Sequence, residues 1–160
     1  MISNTLSALF RSKNLEFQCL KNSTNRSVFL LKFDMCMCSI DCIVEKHTTD
    51  SKLMFIYVVL PVKIPKNKRH EIATYSVLFN NNLKLGCWEL NMENGTMRFR
   101  ISYLYDEQAD SFEQLFMGHL DYAIKFTDIC IPGIFSVIYS DSDPAGVYRK
   151  TMKLVDVRMN

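Results

Sequence analysis

The sequence predicts an α+β fold, and three observations support this prediction. Several segments alternate apolar and polar residues with period two, which is typical of strands. Other segments carry apolar residues at helical spacing. The Asn94-Gly95 pair is a turn signal between two strand-like segments, so it predicts an antiparallel hairpin. A length of 160 residues suits one domain covering 1–160.

Residues 3–12 are predicted to form a short amphipathic helix, because their apolar residues recur at helical spacing. A short strand is expected around residues 15–19, followed by a polar turn over 21–26. From Val28 onward the pattern again alternates, and its phase changes near Asp34. Because the side chains of a strand alternate between its two faces, this change predicts a turn or a bulge.

Three cysteines follow that change of phase. Cys36, Cys38 and Cys42 are predicted to share one face of the next strand with Ile40 and Val44. A structural zinc site commonly uses paired ligand groups, and C-x-C-x3-C has no second pair nearby. Free cysteine behaves as a small buried hydrophobe. We therefore favour a buried strand, and a thiol-based metal or redox protein stays an alternative.

The segment Leu53–Leu60 is apolar at every position, which is typical of a strand covered on both sides. Helices can cover one side, and the other side then needs a second layer or a partner subunit. This strand is therefore our first indication of an association surface. We expect Phe55 and Tyr57 on this strand, with Trp88 and Tyr103 on the later hairpin, to contact a protein partner.

The second half of the chain is predicted to contain a helix opened by a proline, a hairpin and three helical segments. Pro132-Gly133 is expected to break the longest of these segments. The ranges are 65–82 for the first helix, 83–91 and 97–105 for the hairpin strands, and 111–130, 134–139 and 143–154 for the helical segments.

Composition argues against several functional classes. The net charge of +2 gives no field that would attract nucleic acid, and no run of about 18 apolar residues suggests a membrane span. The six cysteines are read as reduced thiols of a cytoplasmic protein, because no secretion signal is visible. No common catalytic motif is present, so we expect a protein that is not an enzyme, with no catalytic residue, cofactor or metal.

Lys63, Lys66, Lys68 and Arg69 form the one basic cluster of the sequence. They surround the predicted start of a helix, where the helix dipole disfavours cations. A bound anion or an acidic partner would offset this effect. An anion- or nucleotide-sensing regulator that uses residues 63–70 is therefore a second alternative.

Two stretches resemble a known family. "LPVKIPKNKRHEIATYSVLFNNNLKLGCWELNMENGTMRFRISY" and "IPGIFSVIYSDSDP" resemble the YbjN family, described as bacterial sensory transduction regulators, over residues 53–145. Cys130 and Asn91 depart from the tyrosine and aspartate usual in that family. The matching positions are Pro65, Asn80, Leu83, Leu85, Gly86, Trp88, Glu89, Leu90, Gly95, Pro132, Gly133, Ile134, Val137, Ile138 and Tyr139.

The resemblance implies a YbjN-like domain with a fold similar to type III secretion chaperones. That fold is a twisted antiparallel sheet with helices packed on it, in the order α-β-β-β-α-β-β-α. Relatives of the fold bind protein segments on apolar surfaces, often as dimers. We therefore expect a chaperone-like or regulatory module that binds a protein partner, with a homodimer as one form of association.

Overall fold

The computed structural model describes residues 5–49 and 52–159. It confirms the α+β class: six strands form one open antiparallel sheet, with helices packed against it. The strand order across the sheet is β1-β2-β3-β4-β6-β5. The elements are α1 (Thr5–Ser12), β1 (Phe17–Asn22), β2 (Arg26–Asp34), β3 (Ser39–His47), β4 (Leu53–Val59), a 3-10 turn (Lys66–Lys68), α2 (Arg69–Asn80), β5 (Cys87–Leu90), β6 (Met97–Leu104), α3 (Phe112–Tyr139) and α4 (Pro144–Met159).

One face of the sheet, the inner face, carries the core. Alternate residues of β2, β3, β4 and β6 point to this face and are buried, for example Phe29, Ile56 and Phe99, each 0% exposed. Phe10 of α1 packs on Phe29, and Phe126 of α3 packs on Phe99. Helix α2 packs on β5, and α4 packs on α2 and α3. The helices therefore lie on one side of the sheet.

The opposite face of the sheet, the outer face, has no described helix on it. The strand registers show which residues share it: Val28 pairs with Glu45 and Leu30 with Ile43. Ile43 in turn pairs with Tyr57 of β4. This arrangement explains why the β4 segment is apolar throughout, because helices cover one of its sides and the other side faces outward.

The two edges of the sheet differ. At the β5 edge, the Asn80 side chain accepts a hydrogen bond from the Trp88 backbone N–H (2.8 Å) and donates one to its carbonyl (2.9 Å). An amide side chain and helix α2 thus close this edge. At the other edge β1 is mostly exposed, and its pairing with β2 shifts register between Cys19 and Lys21, a β-bulge. A bulge and a lysine are common protections of an edge strand.

The predicted helix break at Pro132-Gly133 is wrong. Helix α3 continues through Pro132 to Tyr139. The buried apolar face of the helix continues past the proline, with Ile134 and Val137 fully buried. Tertiary packing thus overrides the local preference of proline to end a helix. By length and composition α3 could also span a membrane, but here its buried apolar residues belong to the core.

Gly133 lies where α3 meets α4. A Cβ atom at this position would lie 2.8 Å from Thr151 Oγ1, 2.8 Å from Tyr75 Oη and 3.0 Å from Val147 Cγ1. Only a residue without a side chain fits this contact without a shift of its neighbours. Gly118 in the same helix is exposed, and a Cβ there would meet nothing within 4 Å.

Other boundaries differ modestly from the sequence predictions. The polar turn over 21–26 shortens to residues 23–25, because β1 and β2 pair as far as Asn22 and Ser27. Pro65 precedes a 3-10 turn, and α2 itself begins at Arg69. The predicted strand 83–91 is reduced to Cys87–Leu90. The predicted helix 3–12 is described from Thr5 onward, and residues 3 and 4 lie outside the described part.

Candidate functional site

The candidate site is the outer face of the sheet. Its centre is a group of half-buried apolar side chains on β2, β3 and β4, which we call the apolar stripe. None of these side chains is covered by a described helix, and contiguous apolar surface with a polar rim is typical of interaction sites. The apolar stripe consists of Val28, Leu30, Ile43, Phe55, Tyr57 and Val59.

Two aromatic rings of β4 form the middle of the apolar stripe. Phe55 and Tyr57 stack in parallel, with ring centroids 5.8 Å apart and an interplanar angle of 2°. The guanidinium carbon of Arg98 lies 4.2 Å from the centre of the Tyr57 ring, a cation–π contact. Burial raises the pKa of the Tyr57 phenol, and Arg98 partly opposes this effect. The phenol is therefore neutral at physiological pH.

One polar rim of the apolar stripe is formed by Arg26 and His47, which contact Glu45 of β3. Glu45 itself lies between Val28 and Phe55. Its carboxylate contacts Arg26 Nε at 2.6 Å and His47 Nε2 at 2.5 Å. Burial tends to raise the pKa of Glu45, but its contacts with Arg26 and His47 outweigh this effect and hold the pKa below its ordinary value. The His47 ring also packs edge-on against Phe55, with centroids 5.5 Å apart.

The other polar rim centres on Glu89 of β5. Its two carboxylate oxygens accept hydrogen bonds from Arg98 Nε (2.7 Å) and Arg100 Nε (2.6 Å). Burial tends to raise the pKa of Glu89, but the hydrogen bonds from both arginines lower it below its ordinary value. One carboxylate thus serves two guanidinium groups, and this rim carries a net positive charge.

The four residues expected to bind a partner do not share one surface. Phe55 and Tyr57 lie in the apolar stripe on the outer face. Trp88 pairs with Phe99 and is 3% exposed in the core, so its indole is not open to a partner. Tyr103 pairs with Met54 on the inner face, and its ring lies 4.1 Å from that of His119. Phe55 and Tyr57 therefore point to one face of the sheet, and Trp88 and Tyr103 point to the other. The sequence alone did not reveal the strand registers that determine these faces.

The basic cluster is largely engaged within the fold. Arg69 donates hydrogen bonds to the carbonyl oxygens of Ile64, Met92 and Glu93, and so ties α2 to the hairpin. Lys68 pairs with Asp141 and lies 3.7 Å from Glu71. These acids offset the charge at the helix start without a bound anion. Within the described residues, Lys63 and Lys66 form no ion pair.

The prediction that Cys36, Cys38 and Cys42 share a strand face is wrong. The first two lie in the β2–β3 turn, where Met35 N–H donates to the Cys38 carbonyl at 2.9 Å. Only Cys42 is a buried strand residue, and burial raises its thiol pKa to about 12. The turn arises because β2 and β3 pair continuously as far as Asp34 and Ser39, leaving four residues to reverse the chain.

Cys36 is exposed, and Asp128 of α3 holds it in place. The Asp128 carboxylate accepts hydrogen bonds from the Cys36 N–H (3.1 Å) and thiol (3.2 Å). The hydrogen bond to this carboxylate raises the pKa of Cys36, which disfavours the reactive thiolate. Among residues 5–49 and 52–159, no group of three or more His, Cys, Asp and Glu side chains is placed to hold a metal ion.

Four members of the apolar stripe were not predicted as candidates: Val28, Leu30, Ile43 and Val59. Their signal is present in the sequence, because β2 is apolar at Val28 and Leu30 as well as at Phe29 and Leu31. Such a strand, like β4, has apolar residues on both faces. Reading β2 as a strand with one apolar face overlooked this.

A comparison of the chain with models of known protein families and with curated proteins found no match. The resemblance to the YbjN family therefore stays a prediction.

Proposed function

We propose that the protein is a non-enzymatic protein-binding module, chaperone-like or regulatory, which binds its partner on the outer face of the sheet. The observation that carries the proposal is the apolar stripe centred on Phe55 and Tyr57. A sheet with apolar residues on both faces buries its second face against another layer, and the described part of the chain supplies none.

The gain from covering this surface is substantial. Transfer of apolar area from water contributes roughly 25 cal/mol per Å², and aromatic residues are the largest contributors of such area at interfaces. Phe55 and Tyr57 are already ordered by their mutual stacking and by their strand neighbours. A partner that covers them therefore pays little additional side-chain entropy.

The rims favour a specific partner over non-specific adhesion. Glu45 lies between Val28 and Phe55 and is held by Arg26 and His47, whereas Glu89 lies on β5, beyond the stripe, and is held by two arginines. Charged rims fix the register of a partner and disfavour surfaces with the wrong charge.

In agreement with the expectations from the sequence, we propose a cytoplasmic protein that acts without cofactor or metal.

The test is affinity purification of the tagged protein from its native cells, combined with one variant and one control. Tyr57→Asp places a charge in the apolar stripe. Val157→Asp makes the same kind of change at a valine that is 80% exposed on α4, a helix that packs on α2 and α3 and not on the outer face. We expect a companion protein at near-equal amount with the wild type and Val157→Asp, and its loss with Tyr57→Asp.

Thermal unfolding of the same three proteins separates binding from folding. We expect Tyr57→Asp to keep a cooperative transition, because Tyr57 lies on the outer face. If Tyr57→Asp retains the companion in full, the outer face is not the binding surface. If it loses its cooperative transition, Tyr57 acts as a core residue and the proposal fails.

A further inference from the structure

Arg98 differs from the other charged residues of the outer face in how it is held. Its Nε donates to Glu89 Oε2 at 2.7 Å, and its guanidinium lies against the Tyr57 ring. Its two terminal nitrogens make no hydrogen bond to any residue in 5–49 or 52–159. The side chain is 43% exposed. The group is thus fixed in position while its outer donors face solvent beside the apolar stripe.

Arg100 shows the contrast. It also donates from Nε to Glu89, but its terminal nitrogens bond to Ser102 Oγ at 2.7 Å and Cys87 Sγ at 3.5 Å. All of its nitrogens are therefore engaged inside the fold. Glu89 neutralises one of the two arginines, so one positive charge remains, and the unused donors belong to Arg98.

This surplus charge determines what can cover the outer face. An apolar group placed over Arg98 would bury its charge and leave its free N–H donors without acceptors, which strongly disfavours such a complex. A carboxylate would accept a bidentate pair of hydrogen bonds from the two terminal nitrogens. Charge complementarity therefore favours an acidic group at this position.

The length of the outer face along β4 suits a helix. The seven residues of β4 span about 23 Å at about 3.3 Å per residue. A helix of about 15 residues has the same length at 1.5 Å per residue, and its diameter of about 10 Å covers about two strand spacings. Helices already cover the inner face of the same sheet in this way.

We propose that the outer face binds an amphipathic helix whose apolar side lies on the apolar stripe and whose flanking carboxylate pairs with Arg98. This inference rests on the proposed function and specifies the chemistry of the partner. Arg98 acts as the specificity residue, and Tyr57 both supports its guanidinium and contributes apolar area.

The experiment is selection from a display library of helical peptides of about 15 residues, a length that matches β4. We expect the selected peptides to share apolar residues at helical spacing and an acidic residue beside them. Apolar peptides without an acidic preference would overturn this inference and leave the proposed function standing. Absence of any enriched peptide would overturn this inference, whereas the proposed function fails only in the companion-protein test with Tyr57→Asp.

Charge reversal then assigns the acidic preference to a residue. We expect Arg98→Ala to weaken the selected peptide about 10- to 100-fold, as for loss of a charged hydrogen-bonded pair. Arg98→Glu should shift the selected peptides from acidic to basic residues. The matched control is Lys32→Glu, because Lys32 is 74% exposed on the same face and pairs only loosely with Asp41 at 3.5 Å. If Lys32→Glu weakens binding as much as Arg98→Glu, the preference reflects overall charge and the assignment to Arg98 is wrong.

Discussion

Two glycines of α3 give a matched pair of alanine substitutions with opposite expected effects. Gly118 is exposed and has open space where a Cβ would lie. Gly133 meets α4, where a Cβ would lie 2.8 Å from Thr151 Oγ1 and Tyr75 Oη. Tyr75 is 0% exposed and Thr151 is 4% exposed, so neither has free space to move into.

The magnitudes follow from two competing effects. Alanine is favoured over glycine in a helix by about 1 kcal/mol, so Gly118→Ala should raise the free energy of unfolding by about that amount. Gly133→Ala gains the same helix-propensity contribution, but overpacking against α4 lowers its free energy of unfolding by about 1–3 kcal/mol. We therefore expect Gly133→Ala to be destabilised by about 0–2 kcal/mol, which separates the two variants by about 1–3 kcal/mol.

Thermal and urea unfolding of both variants measure this separation. An unfolding entropy of about 2.1 cal/mol/K per residue gives about 0.34 kcal/mol/K for 160 residues. The two Tm values should thus differ by about 3–9 °C, with Gly118→Ala the higher. Equal stabilisation by both substitutions would refute the reasoning, because it would mean that α4 does not pack on α3 at Gly133.

Three further predictions concern the sheet edge, a buried ion pair and the outer rim. Asn80→Ala should destabilise the protein by about 1–3 kcal/mol in urea unfolding, because two backbone groups of β5 lose their partner. Glu107→Gln should destabilise it by about 1–3 kcal/mol, because Lys46, only 5% exposed, loses its carboxylate partner at 2.5 Å. Glu89 has a lowered pKa in the folded protein, so its contribution to stability is present above its unfolded pKa and lost as the pH falls through the folded value. Glu89→Gln should therefore be less stable than wild type at pH 7, and the difference should shrink as the pH falls below about 4.

Each of these predictions has a control or a contradicting outcome. Asn81→Ala is the control for Asn80→Ala, because the Asn81 side chain is exposed and forms no hydrogen bond with residues 5–49 or 52–159. Equal effects would show that the β5 edge is not closed by Asn80. For Glu107→Gln, the paired variant Lys46→Met should recover stability, and a failure to do so would mean that the ion pair is not the cause. For Glu89→Gln, a stability difference that does not change with pH would show that the ionised carboxylate of Glu89 does not stabilise the fold.

Much of the fold follows from residue patterns alone. The period-two alternation placed β2 and β6, the continuous apolar run placed β4, and Asn94-Gly95 placed the hairpin turn, where Gly95 has a φ of 78°. A Cβ at Gly95 would clash with the Ile64 carbonyl oxygen, so the turn needs glycine. These are local signals, and local sequence carries them in full.

The errors concern effects that are not local. Continuation of α3 through Pro132 depends on α4 and the core, which bury the residues beyond the proline. The separation of Trp88 and Tyr103 from Phe55 and Tyr57 depends on the strand registers, which no single strand reveals. The half of the candidate site on β4 was predictable because that strand is apolar throughout. The polar rim around Glu89 could not be predicted, because the sequence does not show which carboxylate Arg98 and Arg100 contact.

The unequal edges of the sheet limit how copies of this protein can assemble through strand pairing. A sheet with two free edges can add molecules at both ends and grow into a filament. Here Asn80 and α2 occupy the β5 edge, so backbone pairing between copies is confined to β1. Pairing of β1 with β1 of a second copy would consume the free edge of both molecules, so that growth stops at two.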